Sequence, residues 1–136
     1  MNFFFYFKLY FLTVPVFFIL DILWLGVIAK GFYRRQLGFI LSPQVNWAAA
    51  VVFYLMYIAG ILFFAVRPAV SNNSWGQAAF LGALFGLFTY ATYDLTNLAT
   101  IKDWPLVIVV VDILWGMCLC TLVASLSFAI SRWLLG

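Results

Sequence analysis

Four apolar runs, each about twenty residues long, are separated by short polar stretches along this chain. They cover roughly Leu9 to Ala29, Trp47 to Val66, Gly76 to Leu98 and Leu106 to Ser131. At 1.5 Å per residue, a helix of that length crosses the roughly 30 Å hydrocarbon layer of a bilayer. The pattern predicts an all-α integral membrane protein, a four-helix transmembrane bundle forming one domain over residues 1–136. The aromatic stretch Phe3 to Phe7 precedes the first run and can extend it. Pro15 falls inside that run and is expected to kink it. Arg67-Pro68 is expected to close the second run, because proline disfavours helical backbone in the residue before it. Ser71-Asn72-Asn73-Ser74 and Lys102-Asp103-Trp104-Pro105 read as the next two loops.

Composition removes most alternatives. Of 136 residues, 68% are hydrophobic and 8% charged, which excludes an ordinary soluble domain. The net charge of +3 comes from a few residues at segment ends. That suits membrane anchoring and orientation, with the lipid bilayer as the main partner and no nucleic acid. Lys30, Arg34, Arg35 and Lys102 flank loops one and three, against Lys8, Arg67 and Arg132 on the other side, which leans loops one and three toward the cytoplasm. The first run is too long for a signal peptide and ends without a small-x-small cleavage site, so it is expected to be retained. Cys118 and Cys120 point to opposite faces of a helix and cannot bridge each other; with no Cys-x-x-Cys, thiol redox chemistry is not expected. Gly82 and Gly86 form a step that admits a closely packed helix, either from the same chain or from a second copy in a homodimer. No metal site and no cofactor are implied.

The chemistry lies in the acids. The chain has no Glu and no His, and three of its four aspartates, Asp21, Asp94 and Asp112, fall inside the predicted spans. Each costs roughly 2.5–3.5 kcal/mol at a helix centre on insertion scales. On antiparallel helices all three lie in the half nearest loops one and three. Asp94 and Asp112 are expected at one depth, with Asp21 deeper. Each acid has a polar companion three residues on, one turn along the same helix face: Trp24, Asn97 and Trp115. Asp21-Ile22-Leu23-Trp24 recurs letter for letter as Asp112-Ile113-Leu114-Trp115. Each companion is expected to donate to its own carboxylate, and Tyr90, one turn before Asp94, to add a hydroxyl. No Lys or Arg lies within the hydrocarbon span to neutralise the acids. Three close carboxylates in a dry site cannot all be ionised, so a proton, a cation or water is shared among them.

This arrangement predicts one acidic cavity, built by helices one, three and four and open toward loops one and three, with helix two as scaffold. The leading functional expectation is binding or translocation of a proton, a cation or a cationic small molecule at Asp21, Asp94 and Asp112, oriented by Trp24, Trp115, Tyr90 and Asn97. The alternatives are a membrane enzyme using paired aspartates on a lipid or lipoprotein, a lipid-headgroup binder, and a scaffold in which the aspartates are interhelical polar glue worth about 0.6–2 kcal/mol per bond. The four-span layout is similar to small multidrug exporters, but their intramembrane Glu is missing. Lipoprotein signal peptidases share only the short Val110-Val111-Asp112 run, so no catalytic residue is assigned.

Tyr90-Ala91-Thr92-Tyr93-Asp94-Leu95-Thr96-Asn97-Leu98-Ala99-Thr100 with Trp104-Pro105 resembles the hallmark of domain-of-unknown-function family 2177, small predicted bacterial membrane proteins. Val111-Asp112-Ile113 with Trp115-Gly116, and Asp21 with Trp24 and Tyr33, are similar to the same pattern over nearly the whole chain. The resemblance implies a four-span protein of the bacterial inner membrane and supplies no activity.

Overall fold

A computed structural model describes residues 2–136. Four helices long and apolar enough to cross a membrane run as span 1 (Phe3–Ile28), span 2 (Trp47–Ser71), span 3 (Trp75–Thr100) and span 4 (Leu106–Leu135). A short helix, Lys30–Leu37, joins spans 1 and 2. Three spans begin on side-chain caps. Asn2, Asn46 and Ser74 accept from the backbone N–H of Phe5, Ala49 and Gln77, each at 3.1 Å. These caps satisfy donors that would otherwise be orphaned at a helix start. Span 4 starts directly after Pro105, whose missing N–H is no loss there.

Three boundaries differ by more than two residues from the sequence expectation, one of them the end of span 4, at Leu135 rather than Ser131. Span 1 starts at Phe3 rather than Leu9, because the aromatic stretch continues the helix and Asn2 caps it. Span 2 does not stop at Arg67-Pro68 but continues to Ser71. The backbone widens into a π turn over Leu62–Val66, and the Arg67 N–H bonds to the Leu62 carbonyl. Proline lacks the donor a regular α turn needs, and the wider turn absorbs the misfit without breaking the helix. A second π turn, Trp24–Ile28, ends span 1 three residues after Asp21, with the Ala29 N–H on the Trp24 carbonyl at 2.7 Å.

Spans 3 and 4 make the closest contact. A methyl added at Gly86 would strike the backbone of Gly116, and one at Gly82 would strike the Cys120 carbonyl. Gly116 in turn lies under the Tyr90 ring. The Gly82–Gly86 step therefore packs within the chain, and it is not a surface for a second copy. Large side chains such as Ile19, Val52, Phe80 and Phe88 point outward to lipid, while the interior mixes large ones such as Leu9, Phe17, Ile58 and Leu119 with small and polar ones such as Ala65, Ala78, Thr13 and Ser127. Lipid tails supply no reason to hide Leu or Phe, so close packing of small residues and hydrogen bonds hold the helices together instead.

One such bond ties span 1 to span 4. Thr13 and Ser127, both fully buried, share a hydrogen bond of 2.8 Å. A double-mutant cycle of Thr13→Val and Ser127→Ala, followed by unfolding in mixed micelles, is expected to give a coupling of about 0.6–1.7 kcal/mol. A coupling indistinguishable from zero would show that the pair holds nothing.

Candidate functional site

All three membrane-embedded acids lie at nearly one level. Asp94 and Asp112 each stand six residues from the loop end of their span, and Asp21 seven. At 1.5 Å per residue they lie about 9–10.5 Å inside that end. Asp21 stands one residue, about 1.5 Å, deeper than the others.

The acids are brought together, but their expected companions serve different partners. Trp115, three residues after Asp112, donates its indole N–H to Asp21 at 3.4 Å rather than to Asp112. Trp24, three residues after Asp21, donates to the Tyr33 hydroxyl at 3.3 Å. That hydroxyl donates to Asp112 at 2.7 Å. The two indoles stack face to face, centroids 4.6 Å apart and planes 10° apart. Each copy of the repeated tetrapeptide therefore supplies an acid to the cluster and a donor directed to the other copy's acid. The i+3 spacing put each indole on the correct face; the neighbouring helix, closer than the next turn, took the bond.

Asp94 is different. It is 0% exposed, and neither of its carboxyl oxygens has a hydrogen-bond partner among the described residues. Asn97 is half-buried and sits beside Tyr93, not on Asp94. Tyr90 packs over Gly116 and edge-on to Tyr57 at 6.2 Å, with no hydrogen bond to an acid among the described residues. What stands against Asp94 is the carboxyl of Asp112. An ionised carboxylate with no donor in a dry interior costs several kcal/mol. The pair is chemically complete once one proton or a cation sits between the two groups.

Two residues outside the predicted set complete the site. Tyr54 reaches Asp21 from span 2, so span 2 is not mere scaffold. Its neighbour Tyr57 bonds to Thr89 at 2.8 Å and to Cys120 at 3.1 Å, joining spans 2, 3 and 4. Tyr33 comes from the Lys30–Leu37 helix and covers the cluster on the loop side. That helix is seated by Leu37, with Phe32 and Tyr33, on an apolar plug of Trp104, Ile108 and Val109. Burial, then the adjacent Asp112 carboxyl, push the Tyr33 phenol above its ordinary value, so it remains a donor at neutral pH. The expected cavity open toward loops one and three is therefore replaced by a packed, capped cluster. A cavity of about 720 Å³ lies instead at the opposite end, between spans 1 and 2. Tyr33 sits in a polar linker without periodicity and was marked only by the resemblance that groups it with Asp21 and Trp24, while Tyr54 was hidden by an otherwise featureless apolar run. A tyrosine in a span without other polar groups was the available signal for the latter.

A family model described as a predicted membrane protein (DUF2177) matches residues 6–129. No curated protein and no solved structure matches the chain.

Proposed function

The chain belongs to the DUF2177 family of predicted membrane proteins, and we propose that it binds and passes a proton or small cation at the Asp94–Asp112 pair. The observation that carries this reading is the fully buried Asp94 carboxyl, unpartnered and facing a second carboxyl. Polar glue is the weaker reading, because Asp94 has no hydrogen-bond partner among the described residues. Glue of that kind would be carried by Asp21 and Asp112 alone. The enzyme reading is disfavoured because Asp94 is fully buried and Tyr33 covers Asp112 on the loop side.

Tyr33 is placed to control access. Its hydroxyl is bonded to Asp112 on the side of loop one, and its helix is a separate element that can lift from the apolar plug. With loops one and three in the cytoplasm, as the basic side chains lean, the site exchanges with the cytoplasmic side.

The test is flux. Purified protein in proteoliposomes is given a pH gradient or a sodium or potassium gradient, and uptake is followed with an entrapped indicator. Parent protein is expected to conduct. Asp94→Asn and Asp112→Asn are expected to reduce flux at least tenfold while remaining folded, and Asp103→Asn, in the loop, to leave it unchanged. Parent-level flux through both folded span variants would remove the pair as the site. An unprocessed lipid accumulating in membranes of cells that carry these variants would favour the enzyme instead.

A further inference from the structure

The end of the bundle away from the acids has its own charge pattern. All four aspartates lie on the side of loops one and three. The opposite side carries Lys8, Arg67 and Arg132 and no acid. The cavity of about 720 Å³ opens there, between the start of span 1 and the end of span 2. Phe3, Phe7 and Phe11 wall it from span 1, and Leu62, Phe63 and Arg67 from span 2. Phe63 belongs to the π turn that carries the helix past Pro68. The Phe7 and Phe11 rings lie 4.8 Å apart. The Tyr10 hydroxyl, donating to the Leu55 carbonyl at 2.8 Å, ties the two spans together at the same groove.

The groove opens sideways as well as at its end, since Phe3, Phe7, Phe11 and Phe63 are each at least half exposed. Arg67 holds its guanidinium 5.4 Å from the Phe63 ring centroid and stands four residues from the end of span 2. At that depth its long side chain reaches headgroup level while its stem lies on apolar surface. The volume suits a small hydrophobic ligand with a few fixed polar contacts. An apolar, laterally open wall asks for an acyl chain, and an arginine rim with no acid on that face asks for an anionic head.

We propose that this groove is a binding site for one anionic phospholipid, its acyl chain on the phenylalanine wall and its phosphate on Arg67. The test uses the full chain purified in detergent and titrated with phosphatidylglycerol or with phosphatidylcholine of the same acyl chains. Bound lipid is counted by native mass spectrometry, and thermal unfolding is followed in parallel. Phosphatidylglycerol is expected to bind about fivefold more tightly than phosphatidylcholine, the preference one basic residue near the surface supplies. Arg67→Gln is expected to erase that preference, and Arg67→Lys to keep most of it, which separates lost charge from lost folding. Phe7→Ala is expected to weaken both lipids alike. Equal binding of the two lipids by the parent protein would overturn the proposal. So would a preference that survives Arg67→Gln, or a thermal shift reproduced by inorganic phosphate alone.

Discussion

Gly86→Ala lowers the stability of the folded bundle by about 3 kcal/mol, the upper end of what overpacking usually costs. The added methyl meets the carbonyl oxygen and carbon of Gly116 and the amide nitrogen of Met117, all backbone. No rotamer change relieves such a contact, so spans 3 and 4 must separate along the seam that also sets Asp94 against Asp112. Gly76→Ala is the matched control. Nothing lies within 4 Å of its added methyl, and alanine is favoured over glycine in a helix by up to about 1 kcal/mol. Reversible unfolding of both variants in mixed micelles should therefore move in opposite directions. A Gly86→Ala protein within about 0.5 kcal/mol of the parent would mean that this seam is not the tight contact described.

Tyr33→Phe removes one oxygen and is expected to cost about 2 kcal/mol, in the range for a hydrogen bond to a charged group. It deletes the donor to Asp112 and also leaves the Trp24 indole without its acceptor. Most of the loss should appear locally, because the Lys30–Leu37 helix is otherwise held by a small apolar plug. Amide hydrogen exchange over that helix should accelerate roughly 30-fold, the equivalent of that energy, while the buried centres of spans 3 and 4 stay protected. The pH dependence has a definite sign. The phenol is raised above its ordinary value of 10.0, so its contribution is fully present below pH 10 and declines as pH climbs beyond it. Unchanged exchange in Tyr33→Phe would remove Tyr33 as the clasp of the cap.

The bilayer explains why the fold was so legible. Twenty-residue apolar runs bounded by Lys, Arg, Asn and Ser have few outcomes in lipid, and spans 1 to 4 follow them closely. Where the bounds moved, local chemistry was the reason: Asn2 capped an aromatic extension, and a π turn carried span 2 through Pro68. The acids were equally visible, since a charged residue in an apolar run stands out, and the structure gathers all three. Their bonds were not legible, because i+3 spacing reports a face and says nothing about which neighbour occupies it. Trp24, Trp115 and Asn97 each turned away from the carboxylate on their own helix for this reason. Tyr33 showed only in the resemblance that groups it with Asp21 and Trp24, since a linker that folds back over a span leaves no periodic trace.

The exchanged indoles restrict how this protein can move. Trp115 bonds to Asp21 while Trp24 reaches Asp112 through Tyr33, and the rings stack between them. Advancing either helix by one residue about its own axis would swing an indole through about 100° and break both arms together. Spans 1 and 4 are thus keyed in rotational register. An opening that frees the carboxyl pair without turning either span is the lifting of Tyr33 with its Lys30–Leu37 helix, while the tight Gly86–Gly116 seam stays closed.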